Sequence, residues 1–207
     1  MERFVWVGPV RHLGGYGEVA RNYVRGLDAL GADVALVDSS LSHPEIGDGP
    51  LRDIEALLAR PVVIEGATVV YHAAPPDLPA LLARVPAAGA ARRVACTITE
   101  CERLPADWVA GLAAFDEVWV PGTFHVESFV ASGVPRARMR LVPYGVDTAV
   151  FRPGPAAPAS GRFRFLYTFQ FDWRKGFDLL LEAYLGEFSR DEPTELVVKV
   201  FDTHPTR

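Results

Sequence analysis

Between Glu117 and Val142 the chain allows little besides strand, helix, strand. Glu117-Val118-Trp119-Val120 is an apolar run stopped by the breaker pair Pro121-Gly122. Thr123 is placed to cap the helix that follows, and Gly133 ends it. Met139 to Val142 is the next strand and runs straight into Pro143-Tyr144-Gly145. The same alternation begins at the first residues. Phe4 to Val7 reads as a strand, and Tyr16 to Leu30 as a helix with Val19, Tyr23, Leu27 and Leu30 on one side. Strands follow at Asp33 to Val37, Pro61 to Ile64, Thr68 to Tyr71 and Val94 to Thr99. Helices follow at Leu51 to Ala59, Leu78 to Val85 and Ala106 to Phe115, the last with Pro105 at its start. Near-continuous apolar strands between amphipathic helices need cover on both faces. That is the signature of a parallel sheet, so residues 1–152 are expected to form one doubly wound α/β domain, Rossmann-like in kind.

Residues 153–161, Pro-Gly-Pro-Ala-Ala-Pro-Ala-Ser-Gly, have the composition of a linker. The periodicity then restarts. Phe163 to Thr168 reads as a strand, Asp178 to Phe188 as a helix and Glu195 to Phe201 as a strand. One βαβ unit is too short to bury both faces of a parallel sheet. Residues 162–207 are therefore expected to be the opening of a truncated second domain, with an exposed apolar edge that invites self-association.

The chain has 207 residues, 49% hydrophobic and 23% charged, with a net charge of −5. The acidic balance argues against a general nucleic-acid binder. It leaves room for a local basic pocket that takes a phosphorylated ligand. Cys96 and Cys101, the two cysteines, suggest no disulfide framework and read as buried or bystander thiols. Neither a signal peptide nor an apolar run long enough for a membrane span is present, which implies a cytoplasmic protein. Peripheral contact with a membrane surface stays open.

Three loops could carry chemistry. Gly8 to Gly17 contains Gly14, Gly15 and Gly17 ahead of a helix. Glycines there let backbone approach a phosphate, and the helix start offers N–H donors and a positive dipole end. Arg11 and His12 could add positive charge. The alternative is a turn that only permits close helix–sheet packing. Gly15-Tyr16-Gly17-Glu18-Val19-Ala20 also fits the dinucleotide fingerprint, with Asp38 placed as a ribose-binding acid. Against an NAD site, Gly8 to Gly14 intervenes between strand and fingerprint. The second loop, Trp173-Arg174-Lys175-Gly176, puts adjacent cations at a helix start. They oppose the helix dipole unless an anion sits among them. In the third, Thr99-Glu100-Cys101-Glu102-Arg103-Leu104-Pro105, Glu100 follows a strand and faces the cleft at its carboxyl end. It could bind a substrate hydroxyl or pair with Arg103. His72 ends another strand, as either a structural or a catalytic histidine. No Asp-x-Asp, His-x-His or His-x-x-x-His pattern marks a metal site.

Taken jointly, Val118-Trp119-Val120-Pro121, Ser132-Gly133-Val134, Val142-Pro143-Tyr144-Gly145-Val146-Asp147 and Phe151-Arg152-Pro153 resemble the end of the N-terminal domain in retaining glycosyltransferases of family 4. These enzymes have the two-Rossmann GT-B fold. The resemblance implies transfer of a sugar from a nucleotide-diphosphate sugar to a carbohydrate or lipid-linked acceptor, without a metal or other cofactor. It assigns Gly14 and Gly15 to the donor diphosphate, together with Lys175 and Arg174. A second family arginine has Phe169 in its place here. Glu100 and His72 fall where the family places its acceptor and reaction centre. A glutamate pair that the family carries in its second domain has no counterpart in these residues, so this chain alone is expected to be inactive. A non-catalytic or split-enzyme half is the alternative, and an NAD-binding Rossmann protein a third.

Overall fold

A computed structural model describes residues 2–39, 51–155 and 161–201. The chain divides into two compact units, Met1–Asp147 and Thr148–Arg207. The first is built on six parallel strands: β1 (Arg3–Gly8), β2 (Asp33–Asp38), β3 (Thr68–His72), β4 (Arg92–Cys96), β5 (Glu117–Val120) and β6 (Met139–Leu141). Their order is β2-β1-β3-β4-β5-β6.

Strand alternation sorts the side chains into two cores. Phe4, Trp6, Val34, Leu36 and Val70 point to one face, with Ala20 and Val24 from α1 (Gly15–Ala29) and with Leu51 and Ile54. Val5, Val7, Val69, Tyr71, Val118 and Val120 point to the other. There they meet Leu78 and Leu81 of α3 (Leu78–Arg84), Leu112 of α4 (Ala106–Leu112) and Phe129 of α5 (Thr123–Ala131). The sheet is thus covered on both faces, which is what the continuous apolar strands required.

Four local expectations fail. Pro61 to Ile64 is not a strand. Both sides of β1 are already taken by β2 and β3, and Val62 and Val63 remain exposed, so pairing there would bury little. In place of a helix from Leu51 to Ala59 there is a turn followed by the short α2 (Glu55–Leu58). Leu51, Ile54 and Leu57 are nonetheless buried. Thr123 is not a cap; Gly122 takes that place, with no side-chain hydrogen bond. Strand β4 stops at Cys96, short of Thr99.

The second unit pairs β7 (Phe163–Gln170) in parallel with β8 (Thr194–Phe201), and α6 (Phe177–Glu187) connects them. Its aromatic rings form a ladder. Tyr167 stacks on Phe169 at 4.3 Å between centroids, and Phe171 and Trp173 lie 4.9 and 5.0 Å from Phe177. Of its described hydrophobic residues only Phe169 is buried, while Phe163, Leu166, Leu179 and Leu185 are exposed. Residues 156–160 of the expected linker lie outside the described residues. No helix among the described residues is long and apolar enough to cross a membrane.

Candidate functional site

The order β2-β1-β3 sends the chain outward in opposite directions from β1. In open parallel sheets such a reversal opens a crevice at the carboxyl ends of the strands. Here the two ends are Gly8 and His72. A cavity of about 510 Å³ lies there, and Pro9, His12, Tyr16, His72, Leu81 and Arg84 are among its walls.

The glycine-rich loop is held by internal bonds. Gly14 caps α1 with its carbonyl, which accepts from the N–H of Gly17 at 3.0 Å and of Glu18 at 3.2 Å. The N–H groups of Gly15 and Tyr16 have no partner among the described residues, as expected at a helix start. A Cβ on Gly15 would meet nothing within 4 Å, so the backbone is open to approach there. Gly17 is different: a Cβ would lie 1.9 Å from the His12 carbonyl oxygen, so only glycine fits.

Arg11 and His12, expected to add positive charge, both have partners within the loop and its neighbours. The Gly14 N–H donates to His12 Nδ1 at 2.9 Å, and a nitrogen that accepts is not part of an imidazolium. Arg11 faces Asp38: its backbone N–H donates to Oδ1 at 3.3 Å, and its Nε lies 4.0 Å from Oδ2. The acid that the dinucleotide fingerprint would aim at a ribose is thereby engaged with the loop.

Arg21, which the sequence reading missed, organises this loop. It is buried on α1 and donates from Nη1 to the carbonyls of Val10 at 2.8 Å and His12 at 3.0 Å. Its Nη2 donates to Glu18 Oε2 at 2.8 Å. The signal was available, because Arg21 stands between Ala20 and Val24 on the buried side of an amphipathic helix.

His72 is fully buried, and neither ring nitrogen has a hydrogen-bond partner among the described residues. It packs between Trp6 and Tyr16, with centroids 5.5 and 5.3 Å away. Burial pushes its pKa down to about 4, so the ring is neutral at physiological pH. Tyr16 and Trp6 are further residues missed in the sequence. Burial first, then the nearby Cys96, Asp77 and Glu100, pushes the Tyr16 phenol up to about 12.

Glu100 is exposed and does not follow directly on a strand. Thr97 and Thr99 intervene, buried but irregular, with Thr97 Oγ1 donating to the Ala73 carbonyl at 2.7 Å. Arg103 does not pair with Glu100 but donates to the Ala131 carbonyl. Ser128 Oγ donates to the Cys101 carbonyl at 2.6 Å, tying this loop to α5. Cys96 is buried and its thiol is pushed up to about 12 by burial, whereas Cys101 is exposed. One edge of the sheet thus gathers the glycine loop, Tyr16, His72 and Glu100.

In the second unit Arg174 and Lys175 lie in a single 3-10 turn, Trp173–Lys175, ahead of α6. Asp172 Oδ1 accepts the Arg174 N–H at 2.9 Å, and the Tyr167 hydroxyl donates to the Lys175 carbonyl. Gly176, with φ of 64°, makes the left-handed step into the helix. Neither cationic head has a partner among the described residues. Phe169, in the place of a further arginine, is buried in the aromatic ladder. No group of three or more His, Cys, Asp or Glu residues able to hold a metal occurs among the described residues.

No protein-family model and no curated protein sequence matches the chain. Solved structures do. One is the Anabaena protein Alr3699/HepE in complex with UDP-glucose, with a TM-score of 0.59 at 12% identity over 99% of this chain and 70% of that chain. A second, of the same protein in complex with UDP and glucose, has a TM-score of 0.54 at 12% identity and the same coverage. At that identity the likeness is one of fold.

Proposed function

We propose that this chain is part of a nucleotide-sugar glycosyltransferase of the GT-B type, of the retaining family 4 lineage, and that its ligand is a nucleotide-diphosphate sugar. The observation that supports the reading best is the crevice at the sheet reversal. It has an open glycine backbone at a helix start, in a fold shared with structures that hold UDP-glucose. Unpaired N–H groups at Gly15 and Tyr16 suit an anion. Arg174 and Lys175 are cations without partners among the described residues at a second helix start, the arrangement a diphosphate would relieve. In transfer, the leaving diphosphate gains charge. Fixed donors that meet it would stabilise that charge without reorganising. The acceptor is assigned to the crevice beside His72, with Glu100 at its rim.

Donor recognition is the property these residues bear on, so calorimetric titration with UDP-glucose is the test. Lys175→Ala is expected to weaken binding by about 10- to 100-fold, the range of a charge-assisted hydrogen bond. Equal affinity in the variant overturns the assignment of Lys175. Failure of the native chain to bind UDP-glucose or any other nucleotide sugar overturns the reading. The exposed apolar residues of the second unit favour a second reading, a binding half completed by a partner chain.

A further inference from the structure

We infer that the His72 crevice is a subsite for the hydroxyl of an uncharged ligand whose body is mainly apolar, with His72 making the hydrogen bond that fixes that hydroxyl. The inference rests on the transferase reading only for the ligand's role as acceptor.

The packing does not call for an imidazole. Between Trp6 and Tyr16 an apolar ring of the same shape would fit and would bring no unpaired nitrogen of its own, whereas His72 adds two to the buried Trp6 Nε1, which is also without a partner among the described residues. The histidine therefore points to a partner that arrives with a ligand. A neutral imidazole offers one donor and one acceptor. A hydroxyl is also both. A carboxylate or phosphate only accepts and an ammonium only donates, so each would suit one nitrogen and oppose the other.

The walls select the rest of the ligand. Five of the walls, Pro9, Ala73, Ala74, Ala80 and Leu81, offer no side-chain hydrogen bonds, and Ser39 and Asp77 are among the polar residues that stand beside them. Arg84 at the same cavity already donates to the Asp38 carbonyl at 3.1 Å. A polyhydroxylated sugar would set part of its hydroxyls against those five walls, where none could be paired. The volume, about 510 Å³, lies within the ~300–1,000 Å³ of small-molecule sites and admits a bicyclic ring. His72 is closed off in this structure by its neighbours. Tyr16 is the neighbour free to yield, since no hydrogen bond holds its phenol among the described residues.

The test is NMR of the full chain with 15N-labelled histidine, titrated with 2-naphthol, glucose and 2-naphthoate. The inference expects 2-naphthol to move the His72 ring nitrogens and glucose to leave them unmoved. It expects 2-naphthoate to bind about tenfold more weakly than 2-naphthol, the worth of one hydrogen bond. Ala80→Phe fills the cavity from an exposed helix position and should weaken 2-naphthol by about tenfold or more, a loss of packing space with His72 intact. Equal responses to glucose or naphthoate, or naphthol binding that leaves His72 unmoved, would overturn it. UDP-glucose is titrated into the same samples. If UDP-glucose fails while naphthol moves His72, the transferase reading falls and the hydroxyl site stands. If UDP-glucose binds and naphthol does not, the hydroxyl site alone falls.

Discussion

Among the described residues neither ring nitrogen of His72 has a partner, and the ring has no exposure, which has a consequence for stability. The group ordinarily titrates near 6.5, and burial lowers it to about 4. Between those values the unfolded chain takes up a proton that the folded chain refuses. The stability His72 contributes is therefore complete above pH 6.5 and is lost as pH falls toward 4, up to about 3 kcal/mol. His125, also lowered by burial, acts with the same sign. Asp53 and Asp116, held down by hydrogen bonds from Arg25 and Arg93, lose their contribution only below the ordinary carboxylate range. Urea unfolding from pH 7 to 4.5 should show a falling midpoint, and His72→Phe should flatten it. An identical slope in the variant would clear His72 of that role. The glycines separate in the same way. Gly17→Ala must push aside a backbone carbonyl and should cost about 1–3 kcal/mol, whereas Gly15→Ala points into open space and should be nearly neutral. Urea midpoints of the two variants check this.

Elements in this chain depend on contacts that a local pattern does not carry. The Pro9–Gly14 segment between β1 and α1 belongs to neither a helix nor an extended strand, and Arg21 of α1 supplies donors to two of its carbonyls. Arg21→Met keeps the length and apolar stem but removes those donors. It should destabilise the first unit by about 3 kcal/mol, because buried carbonyls are left unpaired. A urea midpoint unchanged from the native chain would show that the loop is held by other contacts. The Pro143–Gly145 turn is anchored in the same manner. The Tyr23 hydroxyl donates to the Val142 carbonyl at 2.7 Å, and Asn22 Nδ2 to the Gly145 carbonyl at 3.3 Å. Pro61 to Ile64 shows the converse, since an apolar run becomes a strand only where a neighbouring strand is free to pair.

The two units differ in how they satisfy their apolar residues. The first encloses both faces of its sheet. The second leaves Phe163 and Leu166 of β7 and Leu179 and Leu185 of α6 in solvent. Two parallel strands and one helix give too little area to cover either face. Light scattering should therefore report a mass above the 22.6 kDa of one chain, rising with concentration. Leu179→Glu with Leu185→Glu should return it toward that mass. A native chain that stays monomeric at high concentration would show that this surface needs no partner.

The sequence by itself determined the class of fold, because strand and helix periods are local and each strand here is apolar on both sides. It also marked Gly14, Gly15, Arg174 and Lys175, since glycines and adjacent cations at helix starts carry their meaning in short windows. What it could not supply was everything that depends on strand order. Only the tertiary structure places β1 beside β3. That adjacency sets His72 against Trp6, Tyr16 and Gly8, which are far from it in the chain. Only the tertiary structure gives Arg11 an aspartate and His12 a backbone N–H as partners. A residue's type is written in the chain, but its desolvation and its hydrogen-bond partners are set by neighbours that arrive through folding.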